Sequence, residues 1–180
     1  NNNNRNKNYL NFTAVDDSKL LVFSTFNADL SYSYDMITWT KVIFYEMENI
    51  CPEYLNTKTI YCIDRISICC NETIYLKGDN SFDDQHIIKF MMEGWLEGGG
   101  NLSAISKTNY FPRLFEDCVP LTTAPKLPTT PLKKGCYYRM FCYCTKLYLA
   151  PALPAMHLAV DCYKQMFMGC FNLIAAPTLP

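Results

Sequence analysis

Short apolar runs alternate with polar residues along the first hundred positions of the chain. The runs are rich in β-branched and aromatic residues and read YLNFTAV, KLLVFSTF, LSYSY, TWTKVIF, TIYCIDRIS and TIYLKGD. Asp, Asn, Ser and Gly separate them, as in turns between strands. The pattern predicts an all-β, sandwich-like domain over residues 9–100, after an Asn-rich flexible segment at residues 1–8. Residues 87–105 predict a last strand, a turn at Gly98–Gly100 and the entry into a second region.

A different pattern begins near residue 110, where residue types return at a fixed spacing of 26. Ala-Pro pairs at 124–125, 150–151 and 176–177 keep this spacing. So many coincidences at one offset indicate an internal repeat of about three copies, the last one incomplete. The expected core positions of the repeat are Phe115, Cys118, Leu121, Leu127, Cys136, Phe141, Cys144, Leu147, Leu153, Cys162, Phe167, Cys170 and Leu173.

Each copy divides into two halves with different patterns. In HLAVDCYKQMFMGC the apolar residues fall at helical spacing, which predicts a short helix with one apolar face. In FNLIAAPTLP they are close together and end in Pro, which predicts a brief strand and then an extended turn. A unit of this size cannot bury its apolar face alone, so the copies should stack as a solenoid around a shared core.

The segments LTTAPKLP at 121–128 and CYYRMFCYCTKLYLAPALPA at 136–155 carry a family resemblance. Their pattern is similar to the bacterial leucine-rich repeats of the BspA type, in the longer form MFxGCTSLTTAPALPA. The resemblance covers about residues 110–180. In the first region, Ser33, Asp35, Trp39 and Thr40, followed by the strand at 75–78, look like the β domain that often precedes such repeats.

The resemblance implies an α+β protein, in which the β domain is followed over residues 101–180 by a leucine-rich repeat solenoid of strand plus short helix units. Proteins with such repeats are surface or secreted proteins of bacteria and their phages and are associated with adhesion. We therefore expect an extracellular or cell-surface location, with a virion as the alternative. The chain stops at Pro180 inside a copy, so we also expect further copies, or another chain, to cover its apolar edge.

Composition narrows the range of partners. The chain has 180 residues, of which 49% are apolar, with 16 basic and 17 acidic residues and a net charge of −1. This balance offers no broad cationic face for nucleic acid or anionic lipid, so we expect no nucleic-acid partner. The sequence contains no run of about 18 apolar residues, the length needed to span a bilayer.

Ten cysteines raise the question of a metal or redox site. Cys142 and Cys144 lie near Cys136, Cys162 and His157 along the chain, without the paired knuckles typical of structural zinc. The spacing of 26 favours buried free thiols for the repeated cysteines, with a disulfide and a metal ion as the alternatives. Cys142 has no counterpart in the other copies and is expected to project elsewhere. In the β domain, one disulfide is an option among Cys51, Cys62, Cys69 and Cys70.

Catalytic patterns are scarce in the sequence. A cysteine nucleophile would need a histidine partner, and the two histidines, His86 and His157, lie in no recognisable motif. Gly98–Gly100 lacks the Lys-Ser/Thr that follows in a phosphate-binding loop. We therefore predict no enzymatic activity and no cofactor.

Two kinds of surface site remain. Tyr137 and Tyr163 share a repeat position and are expected to pack between helices, whereas Tyr143 and Tyr148 do not repeat. Exposed Tyr is favoured at binding surfaces, so the unrepeated pair is the candidate contact surface. Candidate glycosylation sites with the pattern Asn-x-Ser/Thr are Asn11, Asn71 and Asn101.

Two functions follow as hypotheses. The favoured one is a non-enzymatic surface or secreted adhesion module, which presents its repeats to a protein or glycan partner. The alternative is a structural component of a larger assembly, a phage virion or an extracellular filament, in which the repeats contact neighbouring subunits.

Overall fold

The chain folds around two β-sheets. The structure, a computed structural model, describes residues 9–47, 60–63 and 65–180; the predicted flexible segment at 1–8 and Cys51 lie outside them. The strands are β1 (Leu10–Ala14), β2 (Ser18–Ser24), β3 (Leu30–Ser33), β4 (Thr40–Lys41), β5 (Tyr45–Met47), β6 (Ile60–Cys62), β7 (Ile66–Ile68), β8 (Thr73–Gly78), β9 (Ile88–Glu93), β10 (Leu96–Gly100) and β11 (Leu121–Thr123).

The first sheet has the strand order β11-β10-β1-β8-β3-β4. Its pairs are antiparallel except for β10 with β11, which run parallel. In the second sheet β2 pairs with β9 on one side and with β6 and β7 on the other, and β5 pairs with β6. These pairings are antiparallel.

Strand β1 shows why the two sheets pack together. Leu10, Phe12 and Ala14 alternate with polar residues and are fully buried, as the period of two along a strand requires. The Phe12 ring lies 5.7 Å from the ring of Phe90 in the second sheet and 6.0 Å from that of Phe115. Phe12 therefore joins both sheets to the first of the repeated copies.

The turn at 34–38 shows how a short polar segment is fixed. Asp35 Oδ1 accepts hydrogen bonds from the backbone N–H groups of Ile37 and Thr38, at 2.8 and 2.7 Å, and from the Ser33 hydroxyl at 2.9 Å. These hydrogen bonds lower the pKa of Asp35 to about 2, and the bond from Ile37 N–H has the largest effect. The next aromatic residue, Trp39, is half-buried and has the Lys77 ammonium 3.9 Å from its ring centroid.

The predicted turn at Gly98–Gly100 is wrong, because these glycines belong to β10. The chain turns earlier, at Gly94, whose φ of 99° is in the region that favours glycine. Within β10, glycine is needed for close approach of a neighbouring strand. A Cβ on Gly98 would collide with the backbone carbonyl oxygen of Thr123 in β11.

The predicted leucine-rich repeat solenoid of strand plus short helix units is also wrong, and with it the α+β class. Within the described residues there is no α-helix, and the helical element that occurs is the 3₁₀ helix Leu102–Ala104. Residues 112–117, 134–143 and 160–169 form runs of consecutive turns instead. A residue with positive φ recurs at every fourth position in the runs and, in the first copy, just before the run. The sets are 26 apart: Asn109, Arg113 and Asp117; Gly135, Arg139 and Tyr143; Asp161, Gln165 and Gly169.

Close stacking of the copies explains the absence of helices. The rings of Phe115 and Phe141 stack at 5.5 Å, whereas packed α-helices are about 8–10 Å apart. Backbone bonds between copies accordingly alternate with bonds that close turns within a copy. Those between copies include Phe115 N–H to Met140 O and Phe141 N–H to Met166 O, both 2.9 Å. Apolar residues four apart also share one side of a run of four-residue turns, so their spacing resembles that of a helix.

Two columns of aromatic rings run through the copies. Phe90, Phe115, Phe141 and Phe167 stack with centroids 5.5–5.7 Å apart. The second column is Phe111, Tyr137 and Tyr163, at 6.4 and 5.9 Å. Stacked pairs of this kind add about 0.5–1.5 kcal/mol each beyond the burial of their area.

Most of the predicted repeat positions are buried. Among the thirteen predicted core residues, only Phe167 and Leu173 are half-buried. Most buried apolar residues of both sheets and of the copies form one continuous cluster, which passes the expected domain boundary after residue 100. Phe23, Ile60 and Cys62 form a smaller cluster on the second sheet. Among the described residues, no helix has the length and apolar character to cross a membrane.

Candidate functional site

A groove lies between one loop of the β-sheets and the outer side of the copies. Its volume is about 650 Å³, within the range of ligand pockets. It is lined by Phe82, Asp83, Asp84, Tyr110, Pro112, Lys133, Lys134, Gly135, Tyr138, Asp161 and Lys164.

The copies supply one wall of the groove through residues that share a repeat position. Pro112, Tyr138 and Lys164 are 26 apart, and so are Gly135 and Asp161. The backbone here is held by bonds between copies, since Gly135 N–H donates to Val160 O at 2.9 Å. Tyr138 O accepts a hydrogen bond from Arg113 N–H in the preceding copy at 2.8 Å. This wall is therefore a rigid surface whose side chains differ from copy to copy.

The opposite wall is the acidic loop, which we define as residues 82–86. Phe82 is buried and anchors it, with its ring 5.9 Å from those of Phe26 and Phe111. Asp83 Oδ1 accepts from Gln85 N–H at 2.8 Å and from His86 N–H at 2.9 Å. These hydrogen bonds lower the pKa of the Asp83 carboxyl, and the bond from Gln85 N–H has the largest effect. Asp83 is thus ionised at neutral pH at the rim of the groove.

The two histidines, which the sequence offers as the possible partners of a cysteine nucleophile, lie in different surroundings. His86 Nδ1 contacts Asp83 Oδ1 at 2.8 Å, but that oxygen also accepts the two backbone bonds of the loop. The His86 ring packs edge-on against Phe26 at 5.1 Å. His157 is exposed and does not line the groove. The His86–Asp83 contact therefore serves the local turn.

Charged groups lie close to the aromatic rings in the groove. Burial, followed by the carboxylate of Asp84, raises the pKa of Tyr110. The guanidinium of Arg113 lies 5.3 Å from the centroid of the Tyr138 ring, a cation–π distance. Lys164 and Asp161 lie 3.6 Å apart and are both largely exposed, so their ion pair contributes little to stability.

A buried ion pair lies behind this wall. Glu116 is 1% exposed, and its Oε1 accepts from Nε and Nη2 of Arg139, both at 2.7 Å. Nη1 of Arg139 donates to Gln165 Oε1 in the next copy at 3.0 Å. The backbone carbonyl of Glu116 accepts from the ammonium of the buried Lys89. The side chains of three successive copies are therefore linked in a line that runs from the buried Glu116 through the half-buried Arg139 to the exposed Gln165.

The repeated cysteines are buried thiols with hydrogen-bond partners. Sγ of Cys118, Cys144 and Cys170 donates to a backbone carbonyl of the preceding layer, at 2.7, 2.9 and 2.9 Å. Burial raises the pKa of Cys118 to about 12 and that of Cys170 to about 11. Across the described parts of the chain, no three metal-ligating side chains come together. These cysteines fill the core as hydrogen-bonded thiols.

Cys142 lies outside the apolar cluster that contains Cys136 and Cys144, in line with the prediction that it projects elsewhere. It is fully buried at the repeat position that Glu116 holds in the preceding copy. Burial is the largest cause that raises the pKa of its thiol, and the positive charge of Arg139 opposes that shift. Cys69 and Cys70, in the turn between β7 and β8, are exposed free thiols. The disulfide prediction that involves Cys51 lies outside the described residues.

The predicted contact pair lies elsewhere on the surface. Tyr143 and Tyr148 are 42% and 39% exposed, and neither lines the groove. Tyr143 has a positive φ and its ring covers Gly169 of the next copy. The predicted glycosylation sites are also apart from the groove: Asn11 is half-buried on β1, Asn71 is exposed in a turn, and Asn101 caps the 3₁₀ helix through a bond from Ser103 N–H.

Sequence reasoning missed the groove. The spacing of 26 places Pro112, Tyr138 and Lys164 at one repeat position, where the residue type differs between copies. Half of the groove could therefore be found from the sequence as a position whose residue type does not repeat. The acidic loop belongs to a part of the sequence without the repeat, and its position follows from the packing of Phe82 on Phe111.

Comparison with protein-family models, with curated proteins and with solved structures found no match to this chain. The resemblance to BspA-type repeats therefore depends on the motifs of residues 110–180 alone.

Proposed function

We propose that this protein is a non-enzymatic binding module whose groove holds an external protein or glycan partner. The observation that carries the proposal is the lining of the groove. Tyr and Phe rings lie beside six charged side chains in a concave site of about 650 Å³. Concave sites with apolar walls and a few convergent polar groups are the usual form of ligand sites.

Rigidity of the copy wall supports this role. Tyr138 N–H donates to Gly135 O at 3.0 Å, and the next residue, Arg139, donates its N–H to Lys164 O at 3.0 Å. A site that is ordered before binding loses less conformational entropy when a partner arrives. Aromatic residues on such a wall bring a large contact area with few rotatable bonds.

The state of the nearby thiol favours binding over catalysis. Cys136 is buried near the groove, and burial raises its pKa to about 11. A thiol with so high a pKa is a poor nucleophile at neutral pH. We accordingly assign no catalytic residue, and the proposal places the protein at the cell surface or outside the cell on the basis of the family resemblance.

Capture on coated surfaces tests the proposal. Immobilised extracellular matrix proteins and glycans would be probed with the wild-type chain, with the double variant Tyr110→Ala/Tyr138→Ala and with the matched control Tyr143→Ala/Tyr148→Ala. We expect the groove variant to lose capture and the control to keep it, with equal far-ultraviolet spectra. Equal capture by the two variants would reject the groove as the binding site.

A role in a larger assembly is the second candidate, favoured by a different surface. Val15, Trp95 and Val119 are each more than 40% exposed, and Val15 N–H donates to Trp95 O at 3.0 Å. Exposed apolar side chains that lie together can mark subunit contacts. Sedimentation velocity distinguishes the candidates, since assembly predicts association that Trp95→Asp abolishes, and a monomer at all concentrations contradicts it.

A further inference from the structure

We propose that the groove selects a neutral oligosaccharide, an inference that rests on the proposed function of the groove as a binding site. The charged side chains of the lining are three carboxylates, of Asp83, Asp84 and Asp161, and three ammonium groups, of Lys133, Lys134 and Lys164. Their charges cancel in sum, while both signs stay exposed to a ligand along the groove.

This distribution disfavours partners of one sign. A sulfated or phosphorylated polymer would meet the carboxylates of Asp83 and Asp84, and a polycation would meet the ammonium groups of Lys133 and Lys134. Like charges placed together at an interface suppress the binding of the wrong partner, which makes them a means of rejection. A ligand without net charge meets no such barrier at either wall.

Hydroxyl groups match both walls. Each hydroxyl has one donor hydrogen and two acceptor lone pairs, so it can donate to a carboxylate and accept from an ammonium group. Hydrogen bonds to ionised partners are about twice as strong as those between neutral groups. A sugar, with many hydroxyls on one ring, therefore satisfies acid and base together, which a peptide with few polar side chains does not.

The apolar part of the lining suits the carbon face of a sugar ring. Tyr110, Tyr138, Phe82 and Pro112 bring apolar surface between the charged groups. Tyrosine is well suited to such a contact because it combines an apolar ring with a polar tip. The loop and the copies thus present the mixed polar and apolar surface that a pyranose ring itself has.

The direction of the groove favours several linked sugars. Pro112, Tyr138 and Lys164 belong to three successive copies. In the adjacent column, the ring centroid of Tyr137 lies 6.4 Å from that of Phe111 and 5.9 Å from that of Tyr163. A ligand that touches all three must extend along the stack, and a volume of about 650 Å³ exceeds what one small ring fills. An oligosaccharide meets this requirement and a monosaccharide does not.

Calorimetric titration of the full chain tests the inference. The neutral probes are cellohexaose, maltohexaose, mannohexaose and chitohexaose, the anionic probe is a heparin hexasaccharide and the cationic probe is hexalysine. We expect at least one neutral probe to bind at least tenfold more tightly than either charged probe. Tyr138→Ala should weaken that binding at least tenfold, and the surface control Tyr143→Ala should leave it within a factor of two.

Charge reversal provides a second readout that does not depend on the ring. Asp84→Lys makes the lining net positive, so it should raise the affinity for heparin by about tenfold or more, with a smaller effect on the neutral probe. A melting temperature close to that of the wild type would show that each variant is folded.

The outcomes separate the two proposals. If heparin or hexalysine binds more tightly than the neutral probes and Tyr138→Ala removes that binding, the neutral-glycan inference is wrong and the groove remains the binding site. If no hexasaccharide binds while surface capture of a matrix protein depends on the groove, the inference is again wrong and the proposed function stands. If Tyr138→Ala changes neither titration nor capture, both are rejected.

Discussion

The copies of residues 110–180 have an inner and an outer side, and both follow the same spacing of 26. On the inner side the same residue types recur, as in the column of Phe115, Phe141 and Phe167. On the outer side the equivalent positions differ, as in Pro112, Tyr138 and Lys164 along the groove. The inner positions are tied to one another by ring stacking and burial. The outer positions are free to vary, which is what a binding surface needs.

The largest expected difference between the two sides is in stability. Phe141→Ala removes a fully buried ring between two stacked neighbours, so it should lower the free energy of unfolding by about 3–5 kcal/mol. Lys164→Ala, on the groove side, should change it by at most about 0.5 kcal/mol. Urea denaturation of both variants measures this. Equal losses would contradict the division into an inner and an outer side.

The ion pair of Glu116 and Arg139, whose carboxylate is buried, should also be sensitive. Glu116→Ala leaves the half-buried guanidinium of Arg139 without its carboxylate, and the loss of such charged hydrogen bonds costs about 1.5–3 kcal/mol. The double variant Glu116→Met/Arg139→Gln reproduces the residues of the third copy, Met168 and Gln165, and should lose less than the single variant. Denaturation curves of the two variants decide this, and a larger loss in the double variant would refute the role of the pair.

Glycines with positive φ offer a smaller test of the turns. Gly169 and Gly135 have φ of 75° and 64°, so alanine strains the backbone at either position by about 1 kcal/mol. At Gly169 an added Cβ would also collide with the Tyr143 ring, whereas at Gly135 its nearest atom is 4.0 Å away, on Tyr138. Gly169→Ala should therefore lower the melting temperature more than Gly135→Ala. The reverse order would contradict the packing of Tyr143.

The smallest expected effect is a gain in stability. The hydroxyl of Tyr137 is buried without a hydrogen-bond partner among the described residues, and the same position in the preceding copy is Phe111. A buried hydroxyl without a partner costs about 1–3 kcal/mol, so Tyr137→Phe should stabilise the protein by about 1 kcal/mol. Thermal denaturation against the wild type measures it, and a loss of 1 kcal/mol would show that the hydroxyl has a partner.

The sequence predicted the inner side well and its backbone poorly. The offset of 26 is enough to identify Phe115, Phe141 and Cys144 as core, because burial restricts residue type at each repeat. Their helical spacing was misleading, since a run of four-residue turns also places every fourth residue on one side. The left-handed conformations of Arg139 and Tyr143 carry no sequence signal like that of glycine.

The groove was less predictable than the core for a physical reason. Half of it, including Tyr138 and Lys164, lies on columns that the offset defines, but variable residues give no sign of what they face. The acidic loop joins them through a contact between Phe82 and Phe111 that is distant along the chain. The predicted contact pair, Tyr143 and Tyr148, depends on tyrosines at positions that do not repeat, and Tyr138 is another tyrosine of that kind.

The register of the copies is the claim on which both the inner columns and the groove depend. Scalar coupling across hydrogen bonds, measured by nuclear magnetic resonance on the isotope-labelled chain, reports directly which carbonyl each amide contacts. We predict couplings from the Phe115 amide to the Met140 carbonyl and from the Phe141 amide to the Met166 carbonyl. A coupling from the Phe141 amide to the Tyr137 carbonyl, as in an α-helix, would contradict the account.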